Sequence, residues 1–106
     1  MNLVHTASSL PKAWESAVLA EIGTAAVKVL RMDGRSLPPE VHATAEALVV
    51  VEGRLELLLE ETEFTVAEGE LCRVPAGAVH AVRRGSRGTL LIIEVPERPS
   101  SGTIDS

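Results

Sequence analysis

At 106 residues the chain has room for one modest hydrophobic core and not for two. Apolar residues make up 45% of it, with one Trp, one Phe and no Tyr, so Val, Leu, Ile and Ala must fill the interior, a composition suited to pleated β-surfaces. A net charge of −5 excludes the basic footprint of a nucleic-acid binder, and the longest apolar run, residues 47–51, is far too short to span a bilayer.

No charged leader followed by an apolar segment opens the sequence. The single Cys72 rules out an intramolecular disulfide and suits a reducing compartment, so a cytoplasmic location is expected. In residues 1–26, Leu10, Trp14, Val18 and Ile22 fit helical spacing, whereas Trp14, Ser16 and Val18 alternate as on a strand. The expectation is an extended N-terminal arm, part of the same domain, with a helical turn near Pro11. The barrel proper is expected over residues 27–96.

Residues 27–32 read as the first clear strand, ended by the turn signal Asp33-Gly34. Leu37-Pro38-Pro39 cannot be a central strand, because proline removes ladder donors, and reads as an extended lead-in. Residues 40–51 then predict a longer strand closed by Glu52-Gly53. After Arg54, Leu55, Leu57 and Leu59 share one face, Glu56 and Glu60 the other, and Leu58 breaks the pattern.

Glu61 and Thr62 make a hairpin turn before Phe64 and Val66. Gly69 opens the next turn, residues 71–74 form a short strand, and Pro75-Ala76-Gly77 is a tight corner. Residues 79–83 and 89–95 make the final pair, joined by an Arg/Gly/Ser turn. Short strands with turns every ~8–12 residues predict an all-β sandwich or barrel. From Pro96 onward Pro, Ser, Gly and charge dominate, so 97–106 is expected to be a flexible tail.

On a strand over 40–51, Glu40, His42 and Glu46 would point the same way, the first two ~7 Å apart along the chain. Two carboxylates and an imidazole in one apolar interior are costly unless something neutralises them. A divalent cation does so, and this donor set suits Mn, Fe, Ni or Zn. Thr44 shares their parity, as a neighbour of the site or an ordinary strand Thr. His5 reads as a surface residue, and Cys72 as a small buried hydrophobe.

Gly69-Glu-Leu-Cys-Arg-Val-Pro75-Ala-Gly77-Ala-Val-His80 has the spacing of the second cupin motif. Glu40-Val-His42-Ala-Thr-Ala-Glu46, followed by Gly53, resembles the first, with Glu40 where the family usually carries a histidine. Residues 28–95 are thus similar to a small single-domain cupin. The order from Asn2-Leu3 and Trp14 to Leu91-Ile92-Ile93-Glu94 resembles the group labelled mannose-phosphate isomerase-like. The resemblance implies a double-stranded β-helix, or jelly-roll barrel, with Glu40, His42, Glu46 and His80 as metal ligands.

Two functions stay open. One is an enzyme whose metal acts as Lewis acid or redox centre on a small, possibly anionic, molecule inside the barrel. The other is a non-catalytic ligand-binding or sensing cupin. No nucleophile–base–orienter set is visible, so covalent catalysis without metal finds no support. Arg83, Arg84 and Arg87 form a basic turn, either a solvated hairpin or an attractor of anions. Both faces of 47–51 and 90–95 are apolar, which predicts a homodimer with Trp14 packed across the outer face.

Overall fold

The computed structural model describes residues 1–96; the expected tail, 97–106, lies outside the described residues. Its elements are α1 (Leu3–Ser8), β1 (Ala17–Ile22), β2 (Ala25–Asp33), β3 (Leu37–Glu40), β4 (Glu46–Leu59), β5 (Thr62–Ala67), β6 (Leu71–Val74), β7 (His80–Val82) and β8 (Arg87–Glu94). The all-β expectation holds: among the described residues the strands form one curled eight-stranded sheet.

β4 organises the barrel. Its first part pairs with β8 on one side and β6 on the other, and β8 continues to β2 and β1. Its second part pairs with β5 and β7, and β7 continues to β3. A β-bulge between Val50 and Glu52 lies at the change-over, where extra twist turns one strand into a member of both halves. Glu52-Gly53 therefore does not close a strand as the sequence suggested: the chain runs through it.

Alternation then builds the core. Leu48, Val50, Leu55 and Leu57 of β4 are buried with Leu30, Met32, Val66, Val74, Ala78 and Leu90, and Phe64, Cys72 and Val82 pack against them. Leu58 points away from Leu55 and Leu57, which explains its break in the pattern.

The N-terminal expectation needs two corrections. The helix is α1, not a turn at Pro11; Asn2 caps it, its side chain accepting from the His5 backbone N–H at 2.9 Å. Residues 17–22 are a true strand, because β1 finds a partner in β2 that local spacing could not reveal. Trp14 is not spread over an outer face. It packs on the core, and its indole N–H donates to Asp33 at 2.8 Å. Among the described residues, no helix is long and apolar enough to cross a membrane.

Candidate metal centre

The site forms at one end of the barrel. Glu46 opens β4 opposite Glu94 of β8, and Glu94 lies opposite Ala26 of β2. In the other half, Glu40 ends β3 opposite His80, which opens β7 beside Leu59. Residues 41–45 cross from one half to the other, and they are not strand. Strand parity is thus the wrong reason for Glu40, His42 and Glu46 to meet, since β3 ends before β4 begins. The crossing brings them together instead.

The corner before β7 holds this crossing. Gly77, at φ +80°, donates its backbone N–H to the His42 carbonyl at 2.9 Å. Three residues later His80 enters the barrel. One glycine corner therefore fixes the backbone of one histidine and aims the other. His80 Nδ1 lies 3.1 Å from the Ala78 carbonyl, which can only accept, so this nitrogen is the donor and Nε2 is the one turned to Glu46 and the site.

His42 Nε2 stands 3.3 Å from Glu40 Oε1 and 3.5 Å from Glu46 Oε2, and His80 Nε2 stands 3.6 Å from Glu46 Oε2. The two imidazole rings lie 5.2 Å apart. Glu40, His42 and His80 each offer an atom within 4.8 Å of the other two, and Glu46 joins through both histidines. Ligand atoms about 2.1 Å from a shared cation lie about 3.0–3.6 Å from one another at angles between about 90° and 120°, so these spacings suit one ion.

Burial divides the four. His80 is 7% exposed and Glu46 9%, whereas Glu40 is at the solvent-exposed rim and His42 between these extremes. Burial pushes the Glu46 carboxyl above the ordinary glutamate range; His80 and His42 oppose the shift, and Glu94 and Glu40 add to it. A carboxyl held in this way gains from a nearby cation. Two imidazole nitrogens and two carboxylates are also a donor set that Mn, Fe, Ni or Zn accepts, so the residues present fit such an ion.

Residues 28–96 match the cupin domain family. The chain belongs to this family. A cupin-2 domain protein from Shewanella frigidimarina superposes with a TM-score of 0.82 at 26% identity, covering 91% of this chain and 94% of that one. A protein from Neisseria meningitidis gives 0.77 at 21% identity, covering 91% and 98%. Quercetin 2,3-dioxygenase from Bacillus subtilis is 35% identical over 60 residues, 56% of this cupin and 18% of the relative's own length.

A cleft of about 140 Å³ opens beside the cluster, lined by His42, Thr44, Glu46, Glu94 and Val95. Thr44 donates its hydroxyl to the Val95 carbonyl at 2.8 Å, closing one wall. Glu94 is the site residue that sequence reading passed over. It shares the even parity of Leu90 and Ile92 on β8, but only the ladder places it opposite Glu46. Lys28 of β2 donates to Glu94 Oε2 at 2.5 Å.

The Arg83–Arg87 turn lies elsewhere. Arg87 pairs with Asp33 and Arg54 at the far end of the strands on which Glu94 pairs with Ala26 and Glu46. Seven residues of β8 separate those ends, roughly 23 Å at ~3.3 Å per residue. Arg83 meets Glu56 and Glu63, and Arg54 meets Glu56 and the Gly85 carbonyl. The turn does not face the cleft.

Proposed function

We propose that this cupin binds one divalent transition-metal ion through His42, Glu46 and His80, with Glu40 as fourth ligand, and receives a small molecule in the adjoining cleft. The observation that carries the reading is the buried Glu46 carboxylate set between two imidazoles at 3.5 and 3.6 Å. A cation bound there supplies Lewis-acid or redox chemistry to the ligand. The chain's own part is to orient His80 through Ala78, to pin His42 through Gly77, and to offer Glu46 and Glu94 as acceptors toward the cleft. The residue order from Asn2-Leu3 to Leu91-Ile92-Ile93-Glu94 supports reading it as one of the small mannose-phosphate isomerase-like cupins.

The cleft bounds the ligand. At about 140 Å³ it is well below the ~300 Å³ at which drug-sized ligands begin to fit, so quercetin is not the proposed substrate. Protein purified without a histidine tag should carry one equivalent of Mn, Fe, Ni or Zn. Affinity should fall as pH is lowered, since imidazole and carboxylate bind metal only when deprotonated. Less than a tenth of an equivalent after reloading and desalting would overturn the reading. Turnover of a bound ligand would make the protein an enzyme; binding without turnover would make it a sensor.

We also propose that two copies pair. The outer sheet face that α1 leaves open carries Leu71, 60% exposed, beside Ala47 and Ile93 on paired strands. Such a contiguous apolar face favours an interface. Light scattering at micromolar concentration should report a dimer, and a monomer would contradict it.

A further inference from the structure

The cleft wall has a one-sided chemistry. Thr44 spends its only hydroxyl proton on the Val95 carbonyl, so toward the cleft its oxygen accepts. Glu46 and Glu94 are carboxylates, which accept and do not donate. Lys28, the cation bound to this wall, is taken by Glu94, with side-chain exposures of 21% and 23%. These three side chains therefore ask a ligand for donors.

Like charges opposite each other on a ladder are destabilising, yet Glu46 and Glu94 are direct partners. Each has its own compensation. Glu46 faces the two histidines and the proposed ion, and Glu94 faces Lys28. With a divalent cation against Glu40 and Glu46, and Lys28 against Glu94, the filled site sums to zero charge. An anionic ligand would meet Glu94 with no cation left over for it. A cationic one would meet the metal.

We propose that the ligand is a small neutral molecule bearing hydroxyl donors, and that Glu94, fixed by Lys28, selects it against carboxylates of the same skeleton. This deepens the metal-site reading and rests on it. The volume agrees, since about 140 Å³ suits a ligand smaller than the drug-sized class of ~300 Å³ and above. The basic turn does not argue for an anion, because it lies at the other end of the barrel, as its reading as a solvated hairpin implies.

The test uses zinc-loaded protein titrated, with NMR detection, with glycerol, glycerate and 3-aminopropane-1,2-diol, one skeleton in three charge states. Glu94→Gln should raise glycerate affinity relative to glycerol by roughly tenfold or more, since a like-charge contact is removed and Lys28 is freed. Lys28→Met should raise the aminodiol relative to glycerol by a similar factor, because Glu94 loses its counter-charge. A purely structural role for the pair would shift all three ligands together. Ratios within about twofold of wild type in both variants, with zinc retained, would overturn the ligand class alone. Failure of the wild-type chain to hold zinc would overturn the metal reading, and this proposal with it.

Discussion

Gly53 and Gly88 stand opposite each other in the β4–β8 ladder, so close that neither can carry a side chain. A Cβ on Gly53 would lie 2.0 Å from the Arg87 carbonyl oxygen, and one on Gly88 would lie 2.0 Å from that of Glu52. The contact is with backbone, which cannot swing aside. Gly53→Ala should therefore destabilise the protein by about 3 kcal/mol or more, combining overpacking with the strain of φ +87°. Chemical denaturation measures it, and an unchanged midpoint would show that the strands can part here.

That pair also shows what the sequence could and could not disclose. Gly53 carries the signal of a special backbone position, and from local sequence Glu52-Gly53 looks like a strand end. The reason it does not turn is Gly88, 35 residues away, a pairing that no local pattern contains. The same holds at the site. Gly77 and His80 were legible from their spacing, whereas Glu94 was one acidic residue in an apolar strand until β8 was laid against β4. The strand at 17–22 stayed hidden for a similar cause, since its evidence is β2.

Gly77→Val tests the corner. A Cβ there would meet nothing within 4 Å, so the cost is that of a branched side chain held at φ +80°. The expected loss is roughly 1–3 kcal/mol. Because Gly77 donates to the His42 carbonyl, metal affinity should fall in the molecules that remain folded. Equal melting temperature and equal metal affinity would show that the corner does not position the histidines.

Glu46 predicts a pH dependence of the metal-free protein. Its folded pKa is raised above the ordinary value of 4.5, so the folded chain holds this proton more tightly than the unfolded chain. The contribution to stability is thus present at low pH and is lost as pH rises from about 4.5 through the folded value. Glu46→Gln should flatten that slope and raise the melting temperature of the metal-free protein at pH 7, while abolishing tight metal binding. An unaltered slope would contradict the burial argument.

Glu40, the proposed fourth ligand, stands at the rim 3.3 Å from His42 Nε2. Glu40→Ala should weaken metal binding by roughly tenfold or more, on the scale seen when groups supporting a metal site are removed. Stability should change little, because the side chain is exposed. Wild-type affinity in this variant would reduce the ligand set to His42, Glu46 and His80.

The most direct measurement is an anomalous-difference map from crystals of the wild-type chain soaked in Mn, Ni or Zn. The account predicts one peak at the mouth of the barrel, about 2.0–2.3 Å from His42 Nε2, His80 Nε2 and a Glu46 oxygen, and no such peak in His80→Ala. A map with no peak among these residues, or with metal bound only elsewhere on the surface, would contradict it.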